Sequence, residues 1–132
     1  MSSKNLEILS RALPVSGPTD VEALFSILDE NVEWDYVGAF PEVVTYHGPD
    51  EVREFLGQWA SAFDGFGFEA EEAIDAGDSV VILLHQWGHG KDTGARVESR
   101  TWQVFTFRNG RIVHCRGYET KPQALEAATS QD

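Results

Sequence analysis

The chain has 132 residues, 42% of them apolar and 24% charged, with Lys+Arg 10 against Asp+Glu 22 and a formal net charge of −12. That length and composition fit one globular domain, with an ordered core expected over about residues 5–128, and argue against disorder. The acidity excludes a nucleic-acid partner and an anionic membrane surface, because both are held by basic side chains.

Leu6, Leu9 and Leu13 fall at i, i+3 and i+7 and predict a short helix. Pro14, Gly17 and Pro18 break it. Thr19 and Glu22 have capping-box spacing, and Val21, Leu24, Phe25 and Leu28 continue as a second helix that ends at Asn31. Residues 32–37 alternate and predict a strand with Val32, Trp34 and Tyr36 on one face. A loop of about ten residues follows. Gly48-Pro49-Asp50-Glu51 opens the next helix, with Pro in the first turn and acids at the positive end of the dipole. Over 49–63 this helix carries Val52, Phe55, Leu56, Trp59 and Phe63, a stripe too apolar to face water.

The second half predicts strands. Phe66, Phe68 and Ala70 alternate, and Asp75-Ala76-Gly77-Asp78 turns the chain. Ser79 to His89 is a long strand whose first half, Val80 to Leu84, is apolar on both faces. Lys91 to Gly94 is a turn, Arg96 to Phe107 a strand, and Asn109-Gly110 a tight hairpin turn whose residues tolerate positive φ. Arg111 to Glu119 is the last strand. Thr120 and Gln123 form another capping box, opening a helix through Leu125 and Ala128. Helices ahead of a run of antiparallel strands make an α+β domain.

In this order of elements, Val32-Glu33-Trp34, the run Tyr46-His47-Gly48-Pro49-Asp50-Glu51-Val52-Arg53, Asp75 to Asp78, Gly94 and Phe107 to Val113 resemble the nuclear transport factor 2-like superfamily. Within it they resemble the SnoaL-like branch, akin to polyketide cyclases and ketosteroid isomerases. The resemblance implies a cone-shaped, curved antiparallel (mixed) β-sheet packed on N-terminal helices, an α+β barrel around a hydrophobic pocket. It also implies a homodimer through the outer face of the sheet. Isomerases, cyclases, dehydratases, epoxide hydrolases and non-catalytic binders share this fold, so function has to be argued from the site.

Proton transfer in such a pocket needs a carboxylate or histidine whose pKa burial moves towards neutrality. By resemblance, Asp35 lies near the isomerase base, although alternation turns it away from the Trp34–Tyr36 face unless a bulge intervenes. Gly117 falls where the cyclases and epoxide hydrolases carry their acid, and Glu119, two residues on, is the substitute or else a surface acid. Gln103 falls at the isomerase oxyanion donor and would donate an amide hydrogen bond, or else satisfy a buried neighbour. A three-residue turn at Asp92-Thr93-Gly94 would pair His85 with Thr101 and bring it into the pocket, where a Tyr–His pair resembles the dehydratases. A two-residue turn would put Leu84 and Gln86 inward instead.

The candidate proton-moving residues are therefore His85, Asp35 and Glu119. The candidate substrate contacts are Trp34, Tyr36, Phe55, Trp59, Phe63, Gln103, Phe105 and Cys115. Cys115 is the only cysteine, which leaves no intrachain disulfide. None of His47, His85, His89 and His114 forms a helical zinc-site pattern, and His85, His89 and Glu98 have no recognised ligand spacing. No metal or other cofactor is expected. The first residues have no signal-peptide apolar core, no window is long enough to span a membrane, and a cytoplasmic protein is expected. Two readings stand side by side. One is a cofactor-free isomerase, cyclase or dehydratase acting on a hydrophobic polyketide- or steroid-like molecule; the other is a non-catalytic binder of an apolar ligand. A third, a dimeric module with a vestigial pocket, would need a plugged interior.

Overall fold

A computed structural model describes residues 4–37 and 43–129. In chain order the elements are α1 (Lys4–Ala12), α2 (Val21–Ser26), β1 (Leu28–Val37), β2 (Val43–His47), α3 (Gly48–Ser61), β3 (Phe63–Ala76), β4 (Ser79–Gly90), β5 (Arg96–Arg108), β6 (Arg111–Tyr118) and α4 (Lys121–Thr129). The six strands form one sheet in the order β2-β1-β6-β5-β4-β3. β1 and β6 run parallel and the other neighbours antiparallel, so the sheet is mixed. The fold class is α+β as expected. The sheet is curved but unclosed, with β2 and β3 as its edges, so it is not a complete barrel.

The apolar residues segregate to two sides. Inside, Leu9 and Leu13 from the N-terminal segment, Leu24, Phe25, Leu28, Val32, Val52, Val80, Ile82, Phe105 and Ile112 form the main core. On the outer face, Val81 and Val104 are sealed by Ala124 and Ala128 of α4. This explains why the first half of β4 is apolar on both faces. It also means that α4 already covers part of the face on which a second copy is expected.

Several local signals act as read. Thr120 N–H donates to Gln123 Oε1 at 3.3 Å, and Gln123 N–H donates to Thr120 Oγ1 at 3.3 Å, completing the capping box of α4. Asn109 and Gly110 take φ of 54° and 78°, as a tight hairpin turn between twisted strands demands.

Other boundaries differ. α2 stops at Ser26, and Leu28 belongs to β1. The cause is a sheet bond: Ile112 N–H donates to Ile27 O at 2.8 Å and draws the chain into pairing with β6. Leu28 and Val32 are even-numbered, so one strand face buries them as well as a helical stripe would. The cap of α2 is Asp20, whose carboxylate accepts from Ala23 N–H at 3.0 Å, and not Thr19. Thr19 Oγ1 instead donates to Phe68 O at 3.1 Å, and Glu22 pairs with Arg53. Part of the expected loop before α3 is the edge strand β2, and its first residues lie outside the described ones.

Ile112 is 0% exposed in the main core. Ile112→Ala should lower the unfolding free energy by about 2–5 kcal/mol, read from urea denaturation.

Candidate functional site

Residues from every strand except β2, from α3 and α4, and from the N-terminal segment line one cavity of about 970 Å³. Its apolar body is made by Leu13, Leu24, Trp34, Phe55, Leu56, Trp59, Phe66, Phe68, Leu84 and Phe105. Aromatic contacts hold these walls in place. The Trp34 ring meets Phe105 edge-on at 6.0 Å, Phe55 stacks on Tyr46 at 4.4 Å, and Trp59 meets Phe66 at 4.4 Å. Only Val52 on α3 is fully buried, because Phe55, Leu56 and Trp59 face this open space rather than packed side chains.

The polar lining follows from the β5 register. Ser99, Thr101, Gln103 and Phe105 alternate inward, and Gln103 sits opposite Gly117. Gln103 Nε2 donates to Thr101 Oγ1 at 2.9 Å, and its Oε1 accepts from Cys115 Sγ at 3.5 Å. An amide carries two N–H donors, so one is left for a ligand. A Cβ at position 117 would lie 2.9 Å from Gln103 Nε2. The Gln103 amide therefore occupies the space that a side chain on residue 117 would need. Ser99 Oγ donates to Gln86 Oε1 at 3.2 Å beside it.

The charged residues of the lining are Asp35, Arg100, Arg116, Glu119 and Glu126. Arg116, Gly117, Tyr118 and Glu119 are consecutive and all border the cavity, which therefore runs past the end of β6 to Gln123, Glu126 and Ala127 on α4. Asp35 also borders it, on the opposite side of β1 from Trp34. Its Oδ1 accepts from Thr45 Oγ1 at 2.7 Å, its Oδ2 lies 2.9 Å from His114 Nε2, and Arg116 Nη1 is 3.8 Å away. Burial alone would raise the Asp35 pKa. The hydrogen bonds of Thr45 and His114, with the charges of His114 and Arg116, outweigh it and hold the carboxyl below its ordinary value. Arg116 Nε is shielded from solvent and has no hydrogen-bond partner among the described residues.

The SnoaL-like domain family profile matches residues 12–115, most of the chain. The chain belongs to the SnoaL-like domain family. A solved NTF2-like protein from Burkholderia thailandensis is 26% identical, with 100% of both chains covered and a TM-score of 0.72. A putative SnoaL-like polyketide cyclase from Jannaschia is 14% identical, covering 97% of this chain and 93% of that one with a TM-score of 0.69. A protein with a ketosteroid isomerase-like fold from Catenulispora acidiphila, in complex with trimethylamine, is 15% identical, covering 100% and 96% with a TM-score of 0.66. No curated protein matches the chain.

Within that SnoaL-like frame, Trp34, Tyr36, Phe55, Trp59, Gln103 and Phe105 line the cavity, and so do Glu119 and Asp35, the latter although alternation turns it from the Trp34–Tyr36 face. Phe63 is not among the lining residues; it packs on Trp59 at 4.8 Å and lies under Gly88. Cys115 is 0% exposed and sits behind the wall. Burial and the nearby Asp35 charge push its thiol well above the ordinary value, which leaves it unreactive.

His85 faces outward, and this settles the alternative that the turn had left open. Gly90 N–H donates to Ala95 O at 3.0 Å, so four residues, Lys91 to Gly94, close the hairpin. That even count pairs His85 with Arg100 and Leu84 with Thr101, placing Leu84 and Gln86 inward. His85 then lies between Glu71 and Glu98 on the outer face. The sequence alone does not single out Arg116, and it names Gln86 and Thr101 only through the alternative turns, between which the even hairpin decides.

A carboxyl more acidic in the folded than in the unfolded chain stabilises the fold above its unfolded pKa, and that contribution fades as pH falls. Asp35→Asn should therefore destabilise the protein at neutral pH by about 1–3 kcal/mol, as for hydrogen bonds to a charged group. The difference from the parent should close as pH drops below the ordinary Asp value of 3.8, measured by denaturation across pH.

Proposed function

We propose that the cavity binds a hydrophobic, polar-decorated small molecule of the polyketide- or steroid-like ring class. The cavity itself carries this reading: about 970 Å³ of space walled largely by aromatic and aliphatic side chains, with a smaller set of charged and amide residues in its lining. So large a void gives no support to a vestigial, plugged pocket. The similarity in fold to a putative polyketide cyclase and to a ketosteroid isomerase-like protein supports the ring class. Trp34, Phe55, Trp59 and Phe105 would sandwich the rings. Gln103 and Tyr36 would take a ligand oxygen, since each offers a donor at the wall.

Binding comes ahead of turnover in this reading. Gly117 has no acid, and Asp35 is held as an anion with both oxygens engaged, which makes it a weak base. A second reading, proton transfer next to a bound carbonyl, is favoured by Glu119, a carboxylate on the cavity border. In it Glu119 or Asp35 moves the proton while Gln103 and Tyr36 hold the oxygen.

Calorimetric titration with a hydroxyanthraquinone and with a 3-ketosteroid tests the binding. At least one should bind saturably with one molecule per chain. Thr101→Trp, which places an indole in the cavity, should weaken binding at least tenfold, about 1.4 kcal/mol, with the melting temperature retained. Failure of both compounds to bind, or equal binding by the filled variant, would count against the cavity. With a compound that is turned over, Glu119→Gln and Asp35→Asn separate the two readings: unchanged rates in both would remove the proton-transfer role.

A further inference from the structure

The outer face of the sheet carries a side-chain cluster that the cavity does not use. β3 and β4 set Glu69 directly opposite His85. The bulge between Ala70 and Glu72 leaves Glu71 without a ladder partner and brings it beside them. One ligand atom from each of Glu69, Glu71 and His85 lies within 4.8 Å of the other two. His85 Nδ1 is 3.9 Å from Glu71 Oε2, and the His85 side chain is 12% exposed.

Each of two ligands is held from behind. His85 Nε2 lies 3.1 Å from Glu98 Oε2, and Glu98 in turn takes Arg96 at 3.1 Å. Arg100 Nε donates to Glu71 Oε1 at 2.7 Å, with its Nη2 3.3 Å from Oε2. With Nε2–H donating to Glu98, the Nδ1 lone pair is turned towards Glu71. A histidine fixed by an outer carboxylate, with its other nitrogen free, is the arrangement that orients a metal ligand.

We propose that Glu69, Glu71 and His85 form a binding site for one divalent transition-metal cation such as Zn²⁺, with solvent completing the coordination. One imidazole and two carboxylates match a cation of borderline hardness. Ligands at ~2.1 Å from a tetrahedral zinc stand about 3.4 Å apart, so the His85–Glu71 spacing of 3.9 Å closes by side-chain rotation of about half an ångström. Arg100 Nε stays on Glu71 Oε1, and the longer contact of its Nη2 to Oε2, at 3.3 Å, has to yield or be shared when Oε2 turns to the metal. A net charge of −12 favours the approach of a cation.

Trp87 is a built-in reporter, since its ring centroid is 5.0 Å from that of His85. The full chain is titrated with Co²⁺ while tryptophan fluorescence is followed, and with Zn²⁺ in a calorimeter. One equivalent of Co²⁺ should quench saturably, and Zn²⁺ should reverse it. Trp87→Phe should lose most of the quenching and keep Zn²⁺ binding. His85→Ala and Glu71→Gln should each weaken Zn²⁺ at least ~10-fold, Glu98→Gln should weaken it ~10-fold through the outer shell, and His89→Ala should leave it unchanged. Glu71→Gln is isosteric and carries the test if His85→Ala folds poorly. Absence of saturable binding, or wild-type affinity in both His85→Ala and Glu71→Gln, would overturn the site and leave an ion-pair network alone.

Discussion

The period-two alternation of β4 and β5, locked by an even hairpin, decides what this protein presents on each side of its sheet. With Leu84 opposite Thr101 and Ile82 opposite Gln103, one face supplies Leu84, Gln86, Ser99, Thr101, Gln103 and Phe105 to the cavity. The same register sends His85, Trp87 and Glu98 to the other strand face, where the Arg100 guanidinium reaches Glu71. A slip of one residue would exchange the two sets and put a histidine and a glutamate into an apolar chamber. Burial of Val80, Ile82 and Phe105 on one side and of Val81 and Val104 under α4 on the other makes that slip costly.

Val80 and Ile112 of the sheet pack with Leu9 and Leu13 of the N-terminal segment in the main core, and the sheet stays unclosed between its edges β2 and β3. Polar ties add to the aromatic contacts that hold the cavity walls. Asp35 on β1 joins Thr45 on β2 to His114 on β6, so one carboxylate spans three strands around the parallel β1–β6 pairing. Gln103 does a similar task inside, resting on Thr101 and Cys115 over the space left by Gly117. A side chain at residue 117 and an amide at residue 103 compete for one volume. With Gly117 in place, the Gln103 amide takes that volume.

Much of the fold was legible because its signals are local. Asn109-Gly110, the Thr120–Gln123 capping box and the alternation of Val32, Trp34 and Tyr36 each act within a few residues. What was not legible depends on pairing between distant strands. Leu28 suits a helix stripe or a strand face equally, and only the bond from Ile112 to Ile27 decides. The direction of His85 hangs on the hairpin count, and Phe63 continues the α3 stripe in sequence although β3 begins there. The Glu69–Glu71–His85 cluster needs both a cross-strand register and a bulge, so no spacing within one segment announces it.

A crystal structure of the chain with an aromatic ring compound tests the central claim most directly, because it reads the register and the space together. The account predicts ligand density between Trp34, Trp59 and Phe105, with Leu84 and Gln86 facing it and His85 on the far side of the sheet. An interior filled by the chain's own aromatic side chains, or His85 pointing into the chamber opposite Thr101, would contradict it.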